Sequence, residues 1–126
     1  MTYNVLVVDD NELNLTLISK ILELDGYKVT LAANGKEAVR SVIQHVPDLA
    51  IVDVLMPDMD GFELCQKMRQ APLNVKGPIV LLTAMTSEYE KKNAIVAGAN
   101  DIWSKPFDLE LFRRRTGELL HTARSY

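Results

Sequence analysis

One cysteine, Cys65, stands among 126 residues. That rules out an internal disulfide and a Cys-rich zinc site, and a reducing, cytoplasmic setting is the simplest expectation. No apolar stretch approaches the roughly 20 residues of a membrane span. Met1-Thr2-Tyr3-Asn4 lacks the basic start of a signal peptide, so no membrane role is expected. A surplus of basic residues is also missing: the net charge is -3, which argues against direct nucleic-acid binding. Repeats and low-complexity segments are absent. What remains is 48% hydrophobic and 25% charged, ordinary for a soluble globular protein. The length fits one domain with a core of its own.

Apolar runs alternate with amphipathic stretches along the chain. Val5-Leu6-Val7-Val8 reads as a buried strand that stops at Asp9-Asp10. From Glu12 to Asp25, Leu13, Leu17, Ile21 and Leu24 fall on one stripe with Leu15, Ile18 and Leu22 beside it, predicting a helix with a wide buried face. Gly26 follows at a C′ position. Tyr27 to Leu31 alternates as a second strand. Asn34-Gly35 then turns the chain into a helix over about 36–45 that carries Ala38, Val39, Val42 and Ile43. After Pro47, Leu49-Ala50-Ile51-Val52 is a third strand, ending in Asp53. A Pro-, Asp- and Gly-containing loop over 54–61 leads to a helix from Phe62 to Arg69. Ile79-Val80-Leu81-Leu82 is a fourth strand ending in Thr83-Ala84. Ser87 with Glu90 has capping-box spacing and opens a helix to about Ala97, before Gly98. Asp101 to Trp103 is a short fifth strand, followed by Lys105-Pro106. A last helix, about 108–122, is expected to bury Leu109, Phe112, Leu119 and Leu120, with Arg113-Arg114-Arg115 as a solvated face. The repeated alternation calls for a single α/β domain: a doubly wound parallel sheet with right-handed crossovers and helices on both faces.

In such a sheet, ligands sit outside the carboxyl ends of the strands. If strands one and three are adjacent, Asp9, Asp10 and Asp53 should converge there. Close carboxylates disfavour one another's ionised forms, and a divalent cation resolves the conflict. Magnesium, or manganese in its place, suits an all-oxygen donor set. One of Asp9 and Asp10 is expected to coordinate directly and the other through water, with Asp53 as a third donor and the Leu55 backbone carbonyl as another. Thr83 and Lys105 supply a hydroxyl and an ammonium for phosphoryl oxygens. No His or Cys stands nearby in sequence to attack phosphorus, whereas a carboxylate can do so, making Asp53 the candidate nucleophile. Ala84 is small enough to leave room for the entering group. Singly, each residue has a duller role: Lys105 on the surface, Thr83 bonded to backbone, Asp9-Asp10 capping a helix. Their joint placement at the ends of strands one, three, four and five is what carries the functional reading.

Val-Val-Asp9-Asp10, Asp53 with Met56-Pro57-Asp58-Met59-Asp60-Gly61, Leu-Thr83-Ala84, and Ser104-Lys105-Pro106-Phe107 together resemble the receiver domain of response regulators in two-component signalling. The similarity runs from Val5 to about Leu120, with residues 1–126 taken as one receiver, its core at about 4–122, and no output domain. The resemblance implies a flavodoxin-like five-stranded sheet of order 2-1-3-4-5 with five helices. It implies that Asp53 accepts a phosphoryl group from a histidine kinase or a histidine phosphotransfer protein, that Asp9 and Asp10 hold magnesium, and that Thr83 and Lys105 bind the phosphoryl oxygens. It also implies a cis Lys105-Pro106 bond. Such a protein is a phosphoacceptor that assists its own phosphorylation and slow autodephosphorylation, not an enzyme in the ordinary sense. The switch region is Thr83, Ala84, Ile102, Lys105 and Pro106. Thr83 is expected to move toward the new phosphoryl group and rearrange the face of helix four, strand five and helix five, which controls a partner or output domain.

The chain departs from the family at Ile102, where an aromatic ring that rotates inward is usual. Trp103 is one residue along and points to the other side of the strand. Leu55 and Met85 have no group to orient an attacking water, so a long-lived phosphorylated form is expected. Rival readings are a phosphorylation-independent pseudo-receiver, a haloacid-dehalogenase-type phosphatase, and a flavodoxin-like nucleotide binder. The phosphatase normally needs a second acid two residues after the nucleophile, where this chain has Leu55. The nucleotide binder would want a Gly-, Ser- or Thr-rich loop where Asp9-Asp10 would repel phosphate. Retention of all five site residues argues against the pseudo-receiver. A homodimer through the face of helix four, strand five and helix five is a further expectation, and Arg113–Arg115 and the tail Arg124-Ser125-Tyr126 are alternatives for a dimer surface or linker.

Overall fold

The β-branched run at the start forms β1 (Asn4–Val8), and the first amphipathic stretch forms α1 (Glu12–Leu24). The chain continues through β2 (Lys28–Ala32), α2 (Gly35–Gln44), β3 (Leu49–Asp53), α3 (Gly61–Arg69), β4 (Ile79–Thr83), α4 (Glu88–Ala97), β5 (Asp101–Ser104) and α5 (Leu109–Arg124). This is a computed structural model, and it describes residues 2–106 and 108–124. Phe107 of the Lys-Pro-Phe motif and Ser125 and Tyr126 of the tail therefore lie outside the described residues. The strands form one sheet in the order β2-β1-β3-β4-β5, with every adjacent pair parallel.

β1, β3 and β4 are buried along their whole length, because helices cover both faces of the sheet. Period-two alternation sorts their side chains into two cores. Leu6, Val8, Ala50, Val52, Ile79 and Leu81 face the α2, α3 and α4 side, where Leu64, Cys65 and Met68 meet them. Val5, Val7, Leu49, Ile51, Val80 and Leu82 face α1 and α5 and meet Ile18, Leu22, Phe112 and Leu120. Each fully buried Val, Leu, Ile or Phe contributes roughly 1.5–3 kcal/mol relative to exposure. These layers therefore hold the strand ends in fixed register.

The buried face of α1 differs from the sequence expectation. Leu15, Ile18 and Leu22 are buried, while Leu13, Leu17 and Leu24 are 77%, 55% and 84% exposed. Both stripes are apolar, so periodicity alone does not rank them. The sheet takes the stripe that packs into its core, Leu15, Ile18 and Leu22, and caps close the helix at both ends. At the start, the Asn11 side chain accepts from the Asn14 N–H. At the end, Gly26 at φ +88° and Tyr27 donate backward to Glu23 and Leu22, a Schellman closure. Leu109 on α5, expected to be buried, is likewise exposed, as is Ile43 on α2. Arg113 is tied to Asp25 by a 2.6 Å bond rather than merely solvated, and the Arg115 guanidinium stands 6.0 Å from the centre of the Trp103 ring.

Candidate phosphoryl and metal site

The parallel sheet delivers four strand ends to one edge. Asp9 and Asp10 follow β1, Asp53 is the last residue of β3, Thr83 the last of β4, and Lys105 directly follows β5. β1 pairs with β3, which brings the acids together: one carboxylate oxygen from each of Asp9, Asp10 and Asp53 lies within 4.8 Å of the other two. Asp9 and Asp53 are 1% and 6% exposed, so their charges sit largely out of water. Lys105 answers them, its Nζ lying 2.9 Å from Asp53 Oδ1 and 3.5 Å from Asp9 Oδ2. The Lys105 N–H donates to the Thr83 carbonyl at 2.7 Å, which fixes where that side chain starts. The Lys105-Pro106 peptide is cis.

Two opposing effects set the charge state. Burial pushes the Asp53 carboxyl above its ordinary value and the neighbouring Asp9 adds to this, against the pull of the Lys105 hydrogen bond. For Lys105, burial works against the ammonium, but its contacts with Asp53 and Asp9 prevail and raise its pKa. Asp53 is thus a carboxylate under electrostatic tension, held by one cation where the site offers room for more positive charge. An all-oxygen cluster of this size fits a hard divalent ion such as Mg2+. Leu55 and Ala84 line the same cleft, of about 280 Å³, with Asp10 and Thr83.

The loop after Asp53 is positioned by its own acids and a glycine. The Asp58 carboxylate accepts from Gly35 N, Lys36 N and Met59 N, each at 3.0 Å, clamping the loop to the start of α2. The Gly35 hydrogen bond leads these in holding the Asp58 carboxyl below its usual range. Asp60 caps α3 through Glu63 N at 2.8 Å. At Gly61 the chain passes so near β3 that a Cβ would stand 2.6 Å from the Asp53 carbonyl oxygen and 2.9 Å from Val54 Cα. Only glycine permits this approach.

Two residues that pattern reading did not single out for the site belong to it. Asn14, on the first turn of α1, donates through Nδ2 to Asp9 Oδ2 at 3.2 Å and, with the Asn11 N–H at 2.9 Å, orients that carboxylate. Its signal was faint: an Asn on the polar face of a helix that starts beside two acids. Glu90, expected to complete a capping box, has its backbone N–H on Ser87 Oγ, but its carboxylate turns to Thr83. The Thr83 hydroxyl donates to Glu90, with Oε1 and Oε2 at 3.0 and 3.1 Å, and accepts from Met85 N at 3.2 Å. Ile102 packs against the core on the α4 side of the sheet and Trp103 against the opposite core, as strand alternation requires.

A family model described as "Response regulator receiver domain" matches residues 5–116. The chain is 41% identical over 107 residues to the alkaline phosphatase synthesis transcriptional regulatory protein PhoP of Bacillus subtilis, a match covering 85% of this chain and 44% of PhoP. It is 36% identical over 115 residues to the response regulator PleD of Caulobacter vibrioides, covering 90% of this chain and 25% of PleD. The chain thus spans less than half of these curated relatives. Among solved structures, a putative response regulator from Chloroflexus aurantiacus superimposes with a TM-score of 0.88 at 36% identity, covering 96% of this chain and 99% of that one. The receiver domain of the sensor histidine kinase PA1611 from Pseudomonas aeruginosa superimposes with a TM-score of 0.86 at 32% identity over 96% of this chain and 99% of that one. That structure is described with a magnesium ion coordinated in its active site cleft.

Proposed function

Since the chain belongs to the response regulator receiver domain family, we propose that Asp53 is its phosphoacceptor and that Asp9, Asp10, Asp53 and the Leu55 carbonyl would hold Mg2+. The observation carrying this reading is the packing of three carboxylates within 4.8 Å at the edge where Lys105 and Thr83 also end.

In the proposed reaction one Asp53 carboxylate oxygen attacks the phosphorus of a phosphohistidine. The new O–P bond forms as the N–P bond breaks, leaving an acyl phosphate on Asp53 and a histidine that regains a proton from solvent. Asp53 is suited to this because burial, against the pull of Lys105 and helped by Asp9 and Asp10, destabilises its charge and transfer moves that charge outward onto phosphoryl oxygens. Lys105, 2.9 Å from the nucleophile, exchanges its contact with the carboxylate for one with a phosphoryl oxygen. Asp9, fixed by Asn11 and Asn14, keeps its orientation throughout. When bound, Mg2+ supplies the positive charge and Lewis-acid contact that such oxygens require. Phosphorylation adds about one further negative charge and three acceptor oxygens, a perturbation large enough to shift a receiver between two states.

The donor is proposed to be a histidine kinase or a histidine phosphotransfer protein. The responding surface is the α4, β5 and α5 face, which serves an output partner or a second copy of the chain. None of the described helices is long and apolar enough to cross a membrane, and a cytoplasmic site of action is part of this proposal. Leu55, which lines the cleft, and Met85, whose N–H donates to Thr83 Oγ1, are 73% and 67% exposed and offer no side-chain group to activate water, which supports slow autodephosphorylation. Incubation with acetyl phosphate and Mg2+ tests the reading. One phosphoryl mass should be gained by the protein and by no Asp53→Asn variant, and the radiolabelled group should outlast several minutes. Continuous phosphate release over many turnovers would instead make the protein a phosphatase.

A further inference from the structure

A hydroxyl has one proton to give, and in this structure Thr83 gives it to Glu90. The same oxygen accepts from the Met85 N–H. Thr83 is 5% exposed, so the contact is largely shielded from water, and its acceptor is a carboxylate, which makes the bond charge-assisted. A phosphoryl group on Asp53 would face the same cleft that Thr83 lines, yet could not receive the Thr83 hydrogen bond while Glu90 holds it.

Glu90 sits at the third residue of α4, after the N-cap Ser87. From that position a carboxylate ordinarily reaches back to the N–H of the N-cap residue and closes a capping box. Here only half of the box is made, by Glu90 N on Ser87 Oγ at 3.2 Å. The side chain that would make the other half is spent on Thr83. Ile102, on the neighbouring strand, has no ring whose rotation could report on Thr83, so a hydrogen-bonded route into α4 takes on added weight.

We propose that Glu90 is a positioning residue of the phosphoacceptor site: it competes with the phosphoryl group for the Thr83 hydroxyl and, once released, turns to the Ser87 N–H at the start of α4. Phosphorylation is thereby coupled to α4 through the exchange of one acceptor for another. The first turn of that helix carries Tyr89, 74% exposed, so the exchange alters a surface open to partners. The proposal rests on Asp53 being the phosphoacceptor.

Beryllofluoride with saturating Mg2+ serves as the phosphoryl mimic, its affinity for the full chain read by two-dimensional amide NMR. Glu90→Ala should tighten binding about 10-fold, in line with loss of one competing charge-assisted hydrogen bond. Glu90→Gln, which keeps the side-chain volume and a neutral acceptor, should tighten it by a smaller factor. Both gains should vanish in a Thr83→Val background, because a merely structural effect of Glu90 on α4 would persist there. In the wild type the Ser87 amide resonance should shift on mimic binding, and in Glu90→Ala it should not. If the wild type takes up no beryllofluoride, the phosphoacceptor reading fails and the Glu90 proposal with it. If the wild type binds but the Glu90 variants bind no more tightly, or gain equally with Val at position 83, the Glu90 proposal alone is overturned.

Discussion

Replacing Asp53 by Asn should stabilise the protein in the absence of divalent ions and weaken it, relative to wild type, in their presence. At an effective dielectric constant of about 20, two charges at the 4.8 Å limit within which the acids' nearest oxygens lie repel by about 3.5 kcal/mol. Asp10 is exposed, so solvent screens its repulsion of Asp53 to about 1 kcal/mol. Against these stands the Lys105 contact at 2.9 Å, about 6 kcal/mol on the same scale before its own partial exposure is discounted. Repulsion and attraction nearly cancel, and the cost of burying the Asp53 charge is left over. The raised pKa of Asp53, caused first by burial, carries the same sign. A net gain of about 1 kcal/mol is expected for Asp53→Asn in EDTA at pH 7, a shift of roughly 0.5 M in the urea midpoint. Lys105 keeps a partner in the variant, since Asp9 lies 3.5 Å away.

Magnesium should reverse the order. Binding to the native state adds about 2.7 kcal/mol at one hundred times the dissociation constant, and the variant, with two of the three carboxylates, gains less. Acid acts in the same direction as metal. A group whose folded-state pKa is raised contributes stability that is complete below the unfolded value of 3.8 and lost as pH rises through the folded one. Metal-free wild type should therefore gain on Asp53→Asn as pH falls from 7 toward 3.8. Urea unfolding in EDTA and in saturating Mg2+ checks each arm. If Asp53→Asn is less stable than wild type in EDTA at pH 7, or the difference ignores Mg2+, the electrostatic account of the site is wrong.

Three other outcomes follow from the packing. Gly61→Ala places a Cβ against the Asp53 carbonyl and Val54 Cα, so overpacking should cost about 1–3 kcal/mol in urea unfolding and lower Mg2+ affinity in calorimetric titration by displacing the loop that carries Leu55. Arg69→Met removes four hydrogen bonds, to the carbonyls of Val75, Gly77 and Gly98 and to Asn100 Oδ1. Because water can replace some of them, a loss of about 2–4 kcal/mol is expected, and an unchanged midpoint would refute this role. Cys65 is fully buried and burial pushes its thiol up to about 11. A thiol reagent at pH 8 should therefore label it only at the rate of unfolding, and rapid labelling of the native protein would count against its burial.

Residue order alone determined the class of fold, a doubly wound α/β domain, for reasons that are local. Runs such as Val5–Val8 and Ile79–Leu82 have one sensible use, as strands buried on both sides, and their alternation with helical stretches leaves few topologies. The same runs stop at Asp9, Asp53 and Thr83, so the residues of the site were legible as strand ends before any distance was known; the 2-1-3-4-5 order and the cis Lys105-Pro106 peptide came with the family resemblance.

Tertiary structure decided what periodicity could not rank. Two apolar stripes on α1 are equivalent until the sheet takes one, and it takes Leu15, Ile18 and Leu22, leaving Leu13, Leu17 and Leu24 in solvent. The capping-box spacing of Ser87 and Glu90 gave the helix start correctly but not the partner of the Glu90 carboxylate. A side chain chooses among acceptors and donors by distance in space, and Thr83 comes within 3.0 Å only because β4 ends beside the first turn of α4. Likewise Asn14 is an unremarkable polar residue in the chain and Asp58 only a member of a motif, and both become supports of the candidate site through contacts between elements.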